Sequence, residues 1–450
     1  MNQEMFREYD IRGVADEDIP NETAELIGKA IGTLIHNNNG ESIVVGRDNR
    51  ISGPRILENF VKGIISTGIN VTLIGEVPTP LLYYAVQKLD SDGGVNVTAS
   101  HNPPEFNGFK VLVGKKAIYG EAIQNIYKLT ESKEFAKGEG KVNEVCLDEQ
   151  YLEEIASIVS PEKKLKIIID SGNGMASELA PLLLEKIGVT PECLFCKKDS
   201  SFPNHPPDPV HEENVKELIF LVKEKNFDLG IAFDGDVDRI GVVDEKGTLL
   251  FGDQLLGIFA EDCLKRNPNG KIIFEVKCSQ ALDEWIREKG GQPIMWKTGH
   301  SLIKAKMKEE NAVLAGEMSG HMFFTEKWYG FDDALLAAVK IIEIVSKSKK
   351  TLSELVEEMP KYVSSPEYRV DCPDSKKEEV VNTITEKFIK IYPKSITLDG
   401  IRIIMAEGWA LVRKSNTQPK IILRFEAKTQ EKLEEIKSMV LPEVERLIKE

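Results

Sequence analysis

Cysteine is scarce in this chain, with six in 450 residues at positions 146, 193, 196, 263, 278 and 372. Only Cys193 and Cys196 form a CxxC, and no second pair or spaced histidines accompany it. Neither a zinc site nor a redox pair is indicated, and buried or strand-end thiols are expected. Long hydrophobic runs are also missing, so no membrane-spanning segment is expected. The start, Met1-Asn2-Gln3-Glu4, has neither the basic nor the apolar region of a signal peptide, which makes cytoplasm the expected location. Basic residues are outnumbered, 58 against 73 acidic, for a net charge of −15. That balance argues against nucleic acid or an anionic membrane as the main partner. Small anionic substrates remain open, because a few local Arg and Lys side chains suffice to hold a phosphate.

What is present describes a folded globular protein: 41% apolar and 29% charged residues, in a chain long enough for three or four cores. β-Branched runs at 42–46, 71–74 and 95–98 read as strands, and Ile56, Phe60, Ile64 and Ile65 give helical spacing between the first two. The alternation recurs as strand 165–170, helix 176–187, strand 228–233. It returns as strand 271–274, helix 279–289, strand 293–296 and helix 300–308. Such alternation predicts α/β layers with parallel or mixed sheets. The last stretch has a different order. A helix bearing Val380, Val381, Ile384 and Phe388 precedes strand-like runs at 401–405, 410–413 and 421–425. A final helix carries Leu433, Ile436, Val440 and Val444, with Pro442 expected to kink its end. Polar stretches near 133–143, 245–252 and 360–366 suggest three α/β domains, 1–145, 146–248 and 249–362, and a smaller α+β domain, 363–450.

Four loops carry residues suited to chemistry. Ser100, in Thr98-Ala99-Ser100-His101-Asn102-Pro103, follows a strand and precedes residues that continue neither strand nor helix. By itself the hexapeptide fits either a polar turn or an exposed nucleophilic hydroxyl; the glycines of a hydrolase elbow are missing. Asp234-Gly235-Asp236-Val237-Asp238-Arg239 places three carboxylates at alternate positions directly after an apolar run, a cluster that calls for a hard cation. Asp234, Asp236, Asp238 and Glu245 mimic EF-hand positions. However, Arg239 stands where the turn needs Gly and the flanks are strand-like, so the calcium-sensor reading fails. Open coordination beside an Arg suits Mg²⁺ in phosphoryl transfer. Gly316-Glu317-Met318-Ser319-Gly320-His321 could hydrogen-bond hydroxyls, and Arg413-Lys414-Ser415-Asn416-Thr417-Gln418-Pro419 could cradle a phosphate. Tyr9-Asp10-Ile11-Arg12-Gly13, Lys110, Lys277 and Thr298-Gly299-His300 are supporting candidates. Ser171-Gly172-Asn173-Gly174 reads as a tight structural turn, being neither a P-loop nor a full G-x-G-x-x-G.

Together these loops, with Phe6–Gly13 and the segment Phe202-Pro203-Asn204-His205-Pro206-Pro207-Asp208-Pro209, resemble the α-D-phosphohexomutases from end to end. The resemblance is strongest to the phosphomannomutase/phosphoglucomutase branch. It implies four domains around a central cleft, the last with a TATA-binding-protein-like α+β fold. It also implies that Ser100 is a phosphoserine completing the Mg²⁺ shell of Asp234, Asp236 and Asp238. Arg12, Lys110 and His321 would then be acid/base and charge-stabilising groups. Tyr9, Arg239, Lys277 and His300 would line the site, and Glu317 and Ser319 would hold sugar hydroxyls. Arg413, Ser415, Asn416 and Thr417 would grip the phosphate that is not reacting. The implied activity interconverts hexose 1-phosphate and hexose 6-phosphate through a hexose 1,6-bisphosphate that also serves as activator, in a monomer or homodimer. Ser-Asn-Thr at 415–417 favours this branch over phosphoglucosamine mutases, where Ser-Gly-Thr is typical; Gln418 and Lys414 depart from the usual loop. A non-catalytic sugar-phosphate sensor should have lost Ser100 or one of the aspartates, and all are present.

Overall fold

The computed structural model describes residues 1–415 and 418–450. These fall into two compact units, one of residues 1–255 with 319–355 and one of residues 256–318 with 356–450. No helix among the described residues is long and apolar enough to cross a membrane.

The first unit opens on a mixed sheet ordered Ile11–Val14, Phe106–Val113, Gly93–Val97, Ser42–Arg47, Asn70–Glu76, Val142–Glu144. Helices Asn21–Asn37 and Gly53–Ile65 present Ile27, Ile31, Ile35, Ile56, Phe60 and Ile64 to a shared core. Their backbones nearly touch. A Cβ on Gly28 would lie 2.1 Å from the Phe60 carbonyl oxygen, and one on Gly63 would lie 2.2 Å from that of Glu25. A second sheet runs Ile240–Asp244, Leu229–Phe233, Ile167–Asp170, Glu192–Leu194.

Both sheets follow one plan. An antiparallel hairpin, Gly93–Val97 with Phe106–Val113 or Leu229–Phe233 with Ile240–Asp244, has its first strand parallel to the next one inward. The Ser100 loop and the Asp234 loop are the connections of these two hairpins, so topology puts them at equivalent places. In the second unit, Lys271–Glu275 lies parallel to Gln292–Trp296 and to Leu314–Gly316, and the Glu317 segment leaves the end of the latter.

The second unit also holds the expected α+β region. Strands Ile401–Ile404, Gly408–Lys414 and Lys420–Ala427 form an antiparallel meander whose core is closed by helices Asp374–Ile391 and Gln430–Lys449. Two short strands, Val363–Ser364 and Tyr368–Asp371, add to Lys420–Ala427. The last helix continues through Pro442 to Lys449.

Helix Ala334–Lys347 of the first unit begins at a buried carboxylate. Asp333 accepts from the Leu336 N–H at 3.0 Å and from the Tyr151 hydroxyl at 2.9 Å. Burial outweighs these bonds and pushes its pKa up to about 7. A pKa raised on folding stabilises below the unfolded value, and the benefit disappears as pH rises through the folded value. Wild-type stability in urea should therefore fall between pH 4 and pH 7 more steeply than that of Asp333→Asn, which keeps the shape and one acceptor oxygen without the charge; parallel profiles would contradict this.

Candidate active site

Ser100 is almost wholly buried and adopts a left-handed backbone, φ 50°. That conformation is strained for a side chain bearing Cβ, so its surroundings must impose it. Arg50 does so from inside the loop. Its guanidinium donates to the carbonyls of Ser100 at 2.8 Å, Asn102 at 2.6 Å, Pro103 at 2.6 Å and Phe106 at 2.9 Å. Asp48 balances the charge, 3.2 Å from Arg50 Nε. Asp48 also accepts the Thr98 hydroxyl at 2.6 Å, and Thr98 Oγ1 in turn accepts the Ser100 N–H at 2.9 Å. Arg12 approaches from strand Ile11–Val14, paired on Asp10 at 2.7 Å and donating to the Ala99 carbonyl at 3.2 Å.

The Ser100 hydroxyl donates to Asp234 Oδ2 at 2.7 Å. Asp234, Asp236 and Asp238 are all fully buried, and one oxygen of each lies within 4.8 Å of the others. The loop bends through Val237, whose φ of 66° is a strained choice for a β-branched residue. Asp234 Oδ1 accepts the N–H groups of Asp238 and Arg239 at 3.0 and 3.1 Å. Asp236 Oδ2 accepts from the Thr79 hydroxyl at 2.6 Å and from Lys110 at 2.7 Å, and Lys110 also meets Asp238 Oδ2. Burial and the two neighbouring carboxylates push Asp234 well up. Asp238 is held low against its own burial, chiefly by Lys110. Lys110 is raised in spite of burial by Asp236 and Asp238.

Asp236 Oδ1 and Asp238 Oδ1 are buried without hydrogen-bond partners. Leaving such acceptors bare is costly. Two bare, hard oxygens beside a third carboxylate fit a divalent cation. Among the described residues this triad is one of two buried groups with ligand-like spacing; the other joins Asp238 to His321 and Asp332.

His321 is buried between two partners. Its Nδ1 lies 3.0 Å from Asp332 Oδ2, and Arg239 Nε donates to its Nε2 at 3.0 Å. Arginine can only donate, so Nε2 is the unprotonated nitrogen and Nδ1 carries the proton toward Asp332. Tyr9, half-buried, precedes strand Ile11–Val14, and half-buried Ser319 lies two residues before His321.

In the second unit another network gathers Lys277, His300, Glu317 and Arg413. Glu317 accepts the Gly299 N–H at 2.6 Å, one residue before His300, which starts helix His300–Glu310. Buried Glu275 accepts from the Lys277 N–H at 2.7 Å and the Thr298 hydroxyl at 2.9 Å. Asp399 joins the Thr298 N–H at 3.2 Å to Arg413 Nε at 2.9 Å. Ser415 Oγ accepts the Gln418 N–H at 3.1 Å, and Lys377 donates to the carbonyls of Ser415 and Gln418. Asn416 and Thr417 lie outside the described residues. Sequence reasoning missed Arg50, Asp48, Thr79, Asp332, Glu275 and Asp399, which touch the candidate groups from behind. The only signal available was Asp48-Asn49-Arg50 just beyond the strand expected at 42–46.

A buried serine hydroxyl on an acidic cation site, with lysine and arginine charge around it, defines a phosphoryl-transfer enzyme built on α/β layers. The comparisons with known proteins agree. Phosphoglucomutase/phosphomannomutase α/β/α domains I, II and III match residues 3–137, 149–247 and 251–362, and the C-terminal domain matches 367–443. A phosphomannomutase/phosphoglucomutase of Pseudomonas aeruginosa is 44% identical over 97% of this chain and 94% of its own length. A phosphoglucomutase of Neisseria gonorrhoeae is 40% identical over 97% and 96%. The crystal structure of a phosphoglucomutase/phosphomannomutase family protein from Burkholderia thailandensis superposes with TM-score 0.93 at 39% identity, covering 99% of this chain and 98% of that one. The chain belongs to the phosphoglucomutase/phosphomannomutase family, hexose-phosphate mutases of the α-D-phosphohexomutase superfamily, and has its four-domain architecture.

Two outcomes follow. Arg50→Lys keeps the charge that Asp48 needs but cannot reach four carbonyls, so kcat should drop about 10²-fold, the scale for an ångström of misplacement, with the melting curve still cooperative; unchanged kcat would refute the Arg50 account. A divalent cation at roughly 100 times its Kd should add about 2.7 kcal/mol to wild-type stability and little to Asp236→Asn; equal gains would place the cation elsewhere.

Proposed function

We propose that this enzyme interconverts the 1-phosphate and 6-phosphate of glucose and mannose by carrying a phosphoryl group on Ser100, through a hexose 1,6-bisphosphate. The observation that carries the reading is the Ser100 hydroxyl, fixed in a strained turn and hydrogen-bonded to Asp234. Ser100, Asp234, Asp236 and Asp238 would hold Mg²⁺. When bound, the ion supplies the charge neutralisation that a phosphoryl oxygen needs.

Phosphoserine gives its phosphoryl group to the free hydroxyl of a hexose monophosphate. His321, held between Asp332 and Arg239, and Lys110 are the groups that would handle the hydroxyl's proton. Lys110 and Arg12 bring positive charge toward the transferring group, which suits a reaction whose catalysis is nearly all positioning and electrostatics. The bisphosphate turns end for end, and its other phosphate returns to Ser100. Glu317 and Ser319 take the sugar hydroxyls O3 and O4, which glucose and mannose share. Arg413, Ser415, Asn416 and Thr417 take the distal phosphate, and Tyr9, Lys277 and His300 complete substrate contact. The domains divide at 1–145, 146–248, 249–362 and 363–450, and the enzyme works in the cytoplasm as a monomer or homodimer.

With a trace of glucose 1,6-bisphosphate, glucose 1-phosphate and mannose 1-phosphate should both be converted to their 6-phosphates, and Ser100→Ala should lose about 10³-fold or more in kcat. Glucosamine 6-phosphate as the preferred substrate by kcat/KM would overturn the sugar assignment. Full turnover by Ser100→Ala would overturn the carrier.

A further inference from the structure

Behind the cation loop lies a thiol pair that the proposed reaction does not use. Cys193 sits on strand Glu192–Leu194 and is exposed, while Cys196, three residues on, is half-buried. Between them Phe195 takes a left-handed backbone, φ 52°, which turns the chain sharply between the two thiols. The other face of Cys196 is occupied too, its Sγ 3.1 Å from Ser171 Oγ.

This segment runs directly along the Ser171-Gly172-Asn173-Gly174 turn. Ser171 N–H donates to the Leu194 carbonyl at 3.2 Å and Asn173 N–H to that of Phe195 at 3.0 Å; the Asn173 amide reaches the Lys197 carbonyl at 2.7 Å. The far side of the turn supports the site. Met175 N–H donates to the Gly235 carbonyl at 3.0 Å, and Asn49, next to Arg50, donates to the Asn173 carbonyl at 2.9 Å. Gly174 packs so tightly that a Cβ there would lie 2.8 Å from Gly235 O. One short turn therefore separates the sulfur pair from the backbone between Asp234 and Asp236.

We propose that Cys193 and Cys196 are an oxidation site, closed to a disulfide by a hydroperoxide, and that closure lowers phosphoryl transfer through the 171–174 turn. The exposed Cys193 thiol reacts first, its sulfur taking one peroxide oxygen to give a sulfenic acid while the other oxygen leaves as water. The Cys196 sulfur then attacks the Cys193 sulfur. The S–S bond forms, the S–O bond breaks, and the hydroxyl leaves with the Cys196 proton as a second water. Two thiols lose two electrons and two protons, and the peroxide is reduced. Burial holds the Cys196 thiol up to about 12, which leaves the exposed Cys193 as the thiol that meets the peroxide. Swinging Sγ onto Cys193 removes its contact with Ser171, and the turn loses that tie.

The test uses the full chain carrying Cys146→Ser, which removes the other exposed thiol. After dilute hydrogen peroxide, peptide mapping should show Cys193 joined to Cys196 with loss of two hydrogens. Amide exchange should quicken at 171–175 and 234–236, and mutase turnover should fall by roughly tenfold, the scale for a sub-ångström displacement of reacting groups. A dithiol should restore turnover, and Cys193→Ser should be insensitive. No Cys193–Cys196 linkage in the folded protein would overturn the site, and linkage with unchanged exchange and turnover would overturn the coupling. The turnover readout rests on the proposed mutase reaction. If the reduced protein converts no hexose phosphate, that reading fails, while the mapping and exchange still decide this one.

Discussion

Three aspartates buried together, answered by Lys110 and Arg239, are the constraint on which the candidate site rests. Two of their oxygens have no hydrogen-bond partner, and burial makes the missing partner expensive. Lys110 meets Asp236 and Asp238, leaving Asp234 as the carboxylate pushed furthest toward its neutral form. Asp234 is also the one that holds the Ser100 hydroxyl. A cation at these oxygens would relieve that imbalance, and would also offset the charge of a phosphate on that hydroxyl. The loops that meet there each hold a strained backbone, at Ser100 and at Val237, as expected where the surrounding fold, rather than local preference, dictates conformation.

That constraint explains why so much of the supporting structure is polar and buried. Arg50 spends four hydrogen bonds on carbonyls of the Ser100 loop while Asp48 neutralises it, so the loop cannot relax out of its left-handed turn. Asn96 reaches Thr79, and Thr79 reaches Asp236, tying the carboxylate to the first sheet. His321 is clamped from both ring nitrogens. In the second unit Glu275 and Asp399 do comparable work, fixing the turn before His300 and the guanidinium of Arg413.

Much of this was legible in the chain, though unevenly. Strands such as 42–46, 95–98 and 228–233 are short β-branched or apolar runs, and they appear where expected, as does the helix–meander–helix order after residue 374. The strand Phe106–Val113 was not legible, because Asn107, Gly108 and Lys110 interrupt its apolar pattern, and Lys110 turns to Asp236 and Asp238. Val363–Ser364 and Tyr368–Asp371 are too short and too exposed to show a period. The aspartates stood out because clustered carboxylates have few other uses, whereas the Ser100 hexapeptide fitted a polar turn equally well and drew its role from the family resemblance. Arg50, Asp332 and Asp399 did not stand out, since an isolated charge says nothing about which distant loop it will meet. Ser171–Gly174 read as a structural turn, and its contacts place that turn against both the cation loop and the CxxC.

The central claim is that the Ser100 hydroxyl, poised on Asp234, is the atom that carries phosphate. Incubation with glucose 1,6-bisphosphate followed by intact-mass and peptide analysis tests it most directly. The account predicts a gain of about 80 Da, the mass of one transferred phosphoryl group, confined to Ser100 and lost again on adding hexose monophosphate. No gain, or a gain on another residue, would contradict it.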